Sequence, residues 1–356
     1  MLEKTSESRR FPLESRRYIG CKAKLLDWIF DLIGQHSSCV YSFCDIFAGT
    51  GVISHRALQQ YERVIVNDFL YSNNVMYHAY FEKGKWDENK LMRIVGEFNN
   101  LNAKNLRENY FSKNYGGKFF DEDTARIVGY IRGKLQRIRS ELSNKEFAIL
   151  LSSLIYSIDR HANTLGHFDA YIKKEISPKP FEMRMIDAKS YDGVEIYRED
   201  ANLLARKIHV DLTYIDPPYN SRQYSRFYHV YENLVQWKKP QLFGAALKPK
   251  VENMSEYCRS GALKTFTDLV SHIDSHYLVV SYNNTYHSKS KSSANKIRLE
   301  DIEDVLNKCG KTKIFTRHFS PFNSGKTEFD NHQEYLFITE VDYEKRNRSF
   351  STLLCG

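Results

Sequence analysis

The 356-residue sequence lacks most features that mark metal-binding, secreted and membrane proteins. Its six cysteines are scattered, with no C-x-x-C pair and no Cys/His group at zinc spacing, which indicates reduced thiols and no metal site. The longest nearly apolar run, residues 147–158, is too short to cross a bilayer and is typical of a buried helix. Residues 1–17 are charged and have no apolar stretch that would serve as a signal peptide or an anchor. We therefore expect a cytoplasmic protein with no membrane partner.

Basic charge and aromatic side chains are abundant instead. The formal net charge is +8, which suits a polyanionic partner without proving one. The 24 tyrosines and 22 phenylalanines can supply either a large core or surfaces on which bases stack. The length suggests two domains, or one domain with a large insertion.

The hydrophobic pattern changes twice along the chain. Residues 40–70 have the pattern of a buried strand, a glycine turn, a helix and a second strand, which is the unit that builds parallel sheets. Residues 72–190 follow a helical period, and strand patterns resume between 194 and 339. We predict an α/β fold with a Rossmann-like sheet formed by residues 1–71 and 191–356, and a mostly helical insertion at 72–190.

Two local signals predict further details of the chain. Residues 22–34 carry apolar side chains at helical spacing, and Gly34 is predicted to end that helix. The Ser/Lys-rich segment 287–296 is predicted to be a mobile loop.

Two of only eight prolines are adjacent, in the stretch Y-I-D-P-P-Y at 214–219. They remove two backbone donors and fix an extended turn directly after an apolar strand. Asp216 and Tyr219 are thereby held in one direction at the end of that strand. A stiff surface corner is the alternative when the turn is considered alone.

A second turn follows the first predicted strand. The stretch F-A-G-T-G at 47–51 places Gly49 and Gly51 where the backbone can approach a ligand at the start of a helix. Asp68 stands at the tip of the next strand, where a carboxylate can accept both hydroxyl hydrogens of a ribose. The alternative for Asp68 is a helix N-cap.

Five segments, taken in order, resemble a known family. They are R-R-Y-I-G-C-K-A-K-L-L-D-W-I, D-I-F-A-G-T-G, N-D-F, R-E-D-A and D-P-P-Y, and they resemble the S-adenosylmethionine-dependent adenine-N6 DNA methyltransferases of the D12 class, which includes the Dam-type enzymes. The long insertion before D-P-P-Y resembles the alpha group of amino-methyltransferases, in which the insertion carries target recognition. The resemblance covers about residues 18–70 and 195–340. Within the insertion, N-T-L-G-H-F-D at 163–169 is similar to the family's N-G-x-x-R-F-N, but it differs from it at three of seven positions.

Adenine methylation explains the proline turn. The exocyclic amine of adenine is a poor nucleophile because its lone pair is delocalised into the ring, so acceptors at both N–H groups are needed to draw the nitrogen toward tetrahedral geometry. The expected acceptors are the Asp216 carboxylate and the Pro217 carbonyl, with Pro218 fixing their spacing and Tyr219 stacking on the base. A target inside a duplex cannot reach such a pocket, and base flipping is therefore expected.

The resemblance also implies which residues bind S-adenosylmethionine. It assigns Tyr18, Gly20 and Lys22 to the wall around the methionine end, Asp45, Phe47, Gly49 and Gly51 to the first turn, Asp68 to the ribose, Asp200 to the adenine edge, and Asp216 to both the cofactor and the catalytic set. A solvated lysine is the alternative for Lys22, and a helix cap is the alternative for Asp200.

Double-stranded DNA is the expected partner. The expected DNA-binding residues are Lys134, Arg137, Arg139, Arg160, Asn163, His167, Phe168, Arg222, Gln223 and Arg226. The basic group that runs from Arg132 to Arg139 spans about two helical turns, and phosphate binding and a solvated face explain it equally well. The polar-aromatic loop at 160–168 suits base or backbone contact, with a purely structural loop as the alternative. The three residues that follow the proline turn, Arg222, Gln223 and Arg226, are expected to hold phosphates of the flipped strand.

The sequence therefore predicts a site-specific DNA adenine-N6 methyltransferase, the modification enzyme of a restriction system whose cognate restriction endonuclease is a further expected partner. Two alternatives stay open, an adenine-N6 methyltransferase of structured RNA and a catalytically silent DNA-binding protein on the same fold. The intact D-P-P-Y and F-x-G-x-G motifs argue against silence.

Overall fold

The computed structural model describes residues 10–174, 176–285, 294–318 and 332–351. Its strands are β1 (Ser42–Asp45), β2 (Arg63–Asn67), β3 (Val194–Tyr197), β4 (His209–Ile215), β5 (Asp274–Asn283), β6 (Gly310–His318) and β7 (Gln333–Val341). Its α-helices are α1 (Leu26–His36), α2 (Val52–Ala57), α3 (Tyr71–Tyr80), α4 (Glu88–Asn99), α5 (Tyr110–Tyr115), α6 (Glu122–Arg137), α7 (Asn144–Asp159), α8 (Ala201–Ala205), α9 (Tyr224–Phe227), α10 (His229–Gln236), α11 (Ala262–His272), α12 (Leu299–Cys309) and α13 (Tyr343–Ser349).

The described strands form one seven-stranded sheet in the order β3-β2-β1-β4-β5-β7-β6. The first five strands in this order are parallel, and β7 runs antiparallel to both β5 and β6. Strands β2 and β3 follow β1 on one side of it, whereas β4 and β5 lie on its other side, so the strand order reverses between β1 and β4. The predicted α/β class is confirmed.

Helices cover both faces of the central strands, which explains why the strand sequences are almost continuously apolar. On one face, Phe43 of β1 stacks on Phe30 of α1 with ring centroids 6.0 Å apart. On the other face, Cys44 of β1 joins a buried cluster that includes Leu204 of α8 and Leu269 of α11. Successive strand residues point to opposite faces, so the central strands bury side chains in two separate cores.

The chain divides into two compact units. The sheet unit consists of Gly20–Phe69, Gly193–Tyr224 and Asn253–Gly356, and the helical unit consists of Met1–Ile19, Leu70–Asp192 and Ser225–Glu252. The helical unit thus contains residues 1–19 and 225–252 in addition to nearly all of the predicted insertion. A role of the insertion in target recognition stays a prediction.

Contacts between α3 and α10 account for the place of residues 225–252 in the helical unit. The Glu232 carboxylate on α10 accepts the backbone N–H groups of Tyr71 at 3.1 Å and Ser72 at 2.7 Å. These groups belong to the first turn of α3, where N–H groups have no partner within the helix and a negative charge is stabilising. This pairing joins residues 160 positions apart, which hydrophobic periodicity cannot reveal.

Arg132 is a core residue, so both sequence interpretations of its cation are wrong. Its side chain is 2% exposed and donates to the carbonyls of Leu234 at 2.7 Å and Val235 at 3.0 Å. These carbonyls lie at the end of α10, where a cation is favourable. Burial lowers the pKa of Arg132 to about 10.

Several boundary predictions can be compared with the structure. Helix α1 continues past Gly34 to His36, so the predicted stop is wrong. The helix ends where the Ser37 hydroxyl and N–H both donate to the Ile33 carbonyl, at 2.7 and 2.9 Å. The apolar run at 147–158 lies in the buried helix α7, as predicted. Residues 287–293 of the predicted loop lie outside the described residues. Among the helices that the structure describes, none has the length and apolar character needed to span a bilayer.

Candidate active site

The candidate site lies in the sheet unit, at the carboxyl ends of β1 and β4. These neighbouring strands flank the point where the strand order reverses, and ligands of open α/β sheets bind at such points. Asp45 ends β1 and lies in register with Tyr214 of β4, two residues before Asp216. The fold therefore brings the glycine turn and the proline turn to the same edge of the sheet.

The glycine turn uses backbone conformations that only glycine adopts readily. Gly49 has φ of +53° and Gly51 has φ of +78°, in the left-handed region. The Gly49 N–H donates to Asp68 Oδ2 at 2.9 Å, which ties the tip of β2 to the turn. The N-cap residue of α3 is Leu70, so the N-cap alternative for Asp68 is wrong.

Asn67 is a structural residue of the site that sequence reasoning missed. Its side chain is 1% exposed and donates from Nδ2 to the carbonyls of Ile46 at 3.0 Å and Glu199 at 3.1 Å. Its Oδ1 accepts the Glu199 N–H at 3.0 Å. One amide therefore joins the chain segments that follow β1 and β3. The sequence signals were the place of Asn67 at the start of the N-D-F segment and a polar residue at the end of a mainly apolar strand.

Asp45 is a buried acid at the end of β1. Its side chain is 1% exposed, and the Ser54 hydroxyl donates to its Oδ2 at 2.7 Å. No described residue hydrogen-bonds to its Oδ1. Burial raises the pKa of Asp45 to about 7. Because an unpaired buried acceptor is costly, this oxygen fits a ligand that brings an ammonium or hydroxyl donor.

Asp216, at the start of the proline turn, is held by two described residues through a single carboxylate oxygen. The Tyr219 hydroxyl donates to Asp216 Oδ1, and the Lys22 ammonium lies 3.5 Å from the same oxygen. Both of these contacts with described residues end on Oδ1, which leaves Oδ2 for a substrate. Burial raises the pKa of Asp216 to about 6, although the charge of Lys22 opposes the rise.

Lys22 is buried and paired, so its interpretation as a solvated lysine is wrong. The side chain is 4% exposed, and Nζ donates to the Tyr219 hydroxyl at 2.5 Å and to Glu334 Oε2 at 3.1 Å. Burial opposes its charge, but the carboxylates of Asp216 and Glu334 raise the pKa of Lys22. Sequence reasoning missed Glu334, although an acid in the apolar stretch E-Y-L-F-I-T needs a partner when it is buried.

The Tyr219 side chain is fixed at its ring as well as at its hydroxyl. The ring meets Tyr282 edge-on, with centroids 4.8 Å apart. The Tyr219 carbonyl accepts the Lys296 N–H at 2.8 Å and the Tyr282 hydroxyl at 3.3 Å. The orientation of this residue is therefore set before any base arrives, while its stacking on adenine stays a prediction.

The remaining predicted cofactor residues have structural contacts of their own. Asp200 caps α8, accepting two backbone N–H groups on Oδ1, as its alternative predicted. The Phe47 ring packs edge-on against Tyr257 at 5.0 Å. Gly20 has φ of +83°, in the left-handed region. Tyr18 belongs to the helical unit, where it stacks on Tyr228 at 4.7 Å. Their roles toward a cofactor stay predictions.

Three residues of the expected DNA surface serve the protein interior. Phe168 is 1% exposed and packs edge-on against Tyr231 at 4.8 Å. Asn163 donates from Nδ2 to two backbone carbonyls, which shapes its loop. Gln223 uses both ends of its amide on the backbone of Ser255, at 2.9 and 2.7 Å. Burial of the Phe168 ring and engagement of both ends of the Gln223 amide contradict DNA contact by these two residues, whereas Asn163 uses only Nδ2 in these contacts and its DNA binding stays a prediction.

Four further members of that set make contacts within the helical unit. Arg139 donates to the Leu142 carbonyl at 3.0 Å, Arg226 donates to the Pro249 carbonyl at 2.7 Å, Arg160 lies over the Phe11 ring at 4.9 Å, and His167 stacks on Phe227 at 4.6 Å. Each contact uses part of a side chain, and DNA binding by these residues stays a prediction.

One basic residue of α6, Arg137, lies beside a cleft of the helical unit. Arg137 is exposed and lines a cleft of about 370 Å³ together with Tyr110, Tyr130, Trp237 and Lys239. Nothing in the sequence singles out Trp237 or Lys239. Lys134 on α6 and Arg222 of the sheet unit are partly exposed, and phosphate binding by these cations stays a prediction.

Curated relatives match most of the chain. It is 29% identical to the type II methyltransferase M.FokI of Planomicrobium okeanokoites over 93% of its length, but it spans about half (53%) of that protein. It is 29% identical to M.CviAII of Paramecium bursaria Chlorella virus 1 and 26% identical to M.NlaIII of Neisseria lactamica, both type II methyltransferases. The match to M.CviAII covers 91% of this chain and 98% of that protein. The match to M.NlaIII covers 92% of this chain and 99% of that protein.

A family model also matches, from residue 18 to residue 292. The matched region holds the glycine turn, Asp68 and the proline turn, which the fold brings to the carboxyl ends of adjacent strands. The agreement of the family match with the geometry of this edge shows that the chain belongs to the D12 class of N6 adenine-specific DNA methyltransferases.

Proposed function

We propose that this chain transfers a methyl group from S-adenosylmethionine to N6 of a specific adenine in double-stranded DNA. The Asp216 carboxylate carries the proposal, because its Oδ1 is held by Tyr219 and Lys22 while Oδ2 is left for the amine. Asp216 Oδ2 and the Pro217 carbonyl would accept the two N–H groups of adenine and direct the nitrogen lone pair at the methyl group. Tyr219 would support the base, which must leave the duplex stack to reach this turn.

The glycine turn supports S-adenosylmethionine as the methyl donor. Asp45 Oδ1 is suited to an ammonium or hydroxyl donor, and Asp68 is suited to ribose hydroxyls. The conformations of Gly49 and Gly51 let the backbone approach a ligand closely. When bound, S-adenosylmethionine would supply an electrophilic methyl group on its sulfonium.

A modification role in a restriction system is the biological setting that we propose. It is supported by the names of the relatives, which are type II methyltransferases. The proposed partners are then double-stranded DNA, bound in part by the cations of the helical unit, and a cognate restriction endonuclease. Such an enzyme would act on cellular DNA, so the proposed location is the cytoplasm.

Replacing Asp68 with alanine should weaken S-adenosylmethionine binding by about 1 to 3 kcal/mol, because ligand hydroxyls lose their acceptor. Calorimetric titration of the purified variant measures the effect. Asp68→Asn is the matched control, since its carbonyl can still accept the Gly49 N–H and preserve the turn. An Asp68→Ala variant with normal affinity would remove Asp68 from the cofactor site.

Transfer of a tritiated methyl group distinguishes the proposed function from its two alternatives. Duplex DNA should be labelled, and digestion should recover the label as N6-methyladenine. Labelling of structured RNA in place of duplex DNA would support the RNA enzyme. DNA binding without label in either substrate would support the silent DNA-binding protein.

Base flipping predicts a response to the pairing of the target adenine. A mismatch at that adenine should bind as tightly as the paired site or more tightly, because the extrusion cost falls, whereas a mismatch elsewhere in the site should weaken binding. With 2-aminopurine at the target, fluorescence should rise on binding because the probe is unstacked. The rise should be larger in Tyr219→Ala, which cannot stack on the probe. Equal loss of affinity from mismatches at all positions would contradict flipping.

A further inference from the structure

Glu334 on β7 is buried beside the proposed catalytic turn. Its side chain is 6% exposed, and it lies outside the residues 18–292 that the family model matches. A buried carboxylate is costly unless it is paired. Its Oε2 accepts from Lys22 at 3.1 Å, and its Oε1 lies 3.7 Å from His332 Nε2. Burial opposes the charge of Glu334, but Lys22 and His332 together lower the pKa of Glu334.

Lys22 connects Glu334 to the two groups that would hold the adenine. Its ammonium donates to the Tyr219 hydroxyl at 2.5 Å and lies 3.5 Å from Asp216 Oδ1. The lysine thus has two carboxylates in reach, and it is closer to Glu334 than to Asp216. Glu334 and Asp216 therefore share the charge of one lysine, and neither carboxylate is fully neutralised by it.

We infer that Glu334 is a positioning residue for methyl transfer. It holds Lys22 in place beside Tyr219, so that Tyr219 fixes Asp216 Oδ1 and Asp216 Oδ2 faces the substrate amine. The inference rests on the proposed function, since it assigns Asp216 to the amine. Without the charge of Glu334, Lys22 would turn to Asp216 as its remaining carboxylate partner. Asp216 would then be a weaker acceptor and would point toward the lysine.

Several other titratable groups face these residues in the sheet unit. Asp45 at the end of β1 and Tyr214 on β4 interact electrostatically with Asp216, and His332 lies next to Glu334. A substitution at Glu334 also removes a charge that acts on Tyr214 and lies beside His332. Comparison with a variant that lacks Lys22 as well isolates the part of the Asp216 change that passes through Lys22.

Glu334→Gln keeps the size of the side chain and removes its charge. The pKa of Asp216 should fall, because a neighbouring negative charge is lost and Lys22 binds Asp216 more strongly. In the pH profile of kcat, the acidic limb should move to lower pH, and the plateau should fall by about tenfold because the acceptor is misplaced. KM for DNA should change little. Lys22→Met combined with Glu334→Gln should raise the pKa of Asp216 instead, because the cation is lost as well.

The pKa of Asp216 can be measured without activity, by NMR titration of protein labelled with ¹³C at the aspartate carboxyl groups. The Asp216 signal is assigned by its loss in Asp216→Asn. Glu195→Gln is the matched control, because it removes a carboxylate that binds Arg63 at 2.6 Å in the same sheet, and it should leave the Asp216 titration unchanged. If Glu334→Gln does not fold, the double variant provides the same test, since it contains no unpaired buried charge at these two positions.

An unchanged Asp216 titration in folded Glu334→Gln, or a shift in the same direction in the double variant, would overturn the inference. A shift as predicted with a normal kcat profile would also overturn it, because Glu334 would then not position the reacting groups. Failure of the proposed function would look different. The unaltered enzyme would not label DNA, while the titrations would still decide whether Glu334 controls Asp216.

Discussion

Asp216→Ala should reduce methyl transfer by about 100-fold to 10,000-fold while the protein stays folded. The range is that expected for loss of a positioned acceptor in the transition state. The fold should survive because Lys22 keeps Glu334 as a buried partner after Asp216 is gone. Affinity for DNA should be largely retained, so single-turnover transfer at saturating S-adenosylmethionine measures the loss directly.

The control for this prediction is Asp192→Asn, which removes an exposed carboxylate of the helical unit and should leave transfer unchanged. The pH profile provides an independent check. Since burial raises the pKa of Asp216 to about 6 and the carboxylate is the active form, kcat should rise with pH through about 6. Near-normal turnover in a pure Asp216→Ala sample would rule out the proposed mechanism.

Asp45→Asn should raise the free energy of unfolding at pH 8 by about 2 to 4 kcal/mol. Burial raises the pKa of Asp45 in the folded protein to about 7, whereas an aspartate in an unfolded chain titrates at about 3.9. The folded protein therefore favours the protonated acid. The stabilising contribution of the protonated Asp45 side chain is complete below about pH 4 and is lost as the pH rises through about 7. Above that pH the folded protein buries the charged Asp45 carboxylate. Asparagine carries no charge at any of these pH values.

Denaturant unfolding of the cofactor-free protein at several pH values measures this effect. The difference between Asp45→Asn and the unaltered protein should be largest at pH 8 and should nearly vanish at about pH 4. Asp27→Asn is the control, because its carboxylate is 86% exposed and its replacement should change stability little at any pH. Equal stability of Asp45→Asn and the unaltered protein at pH 8 would contradict the burial of a charge there.

The parts of the site that the sequence could predict are those set by local chain geometry. Buried strands followed by Gly49 and by Pro217 leave few choices for the backbone, so the amino-acid sequence alone suffices to place the two turns at strand ends. The α/β class followed from the same periodicity. The order of the motifs then led to the family.

Long-range pairing of polar groups could not be predicted in this way. Lys22 and Glu334 are 312 residues apart, and nothing in the sequence around either of them names its partner. The same holds for Arg132, whose carbonyl partners lie 102 and 103 residues away. Sequence periodicity identifies buried apolar faces, but it does not distinguish a cation on a surface from one that caps a distant helix.

The position of β7 in the sheet has a consequence for folding. Among the described strands, β6 pairs with β7 alone, although β7 follows it in the chain. β6 therefore cannot join the sheet until β7 has inserted beside β5, and such non-local pairing is slow. Until then β5 presents an open edge that can pair with other chains, so aggregation competes with this step. Because β7 brings Glu334, the counter-charge of Lys22 arrives in the same step, and a catalytically competent site can form only after β7 has joined the sheet.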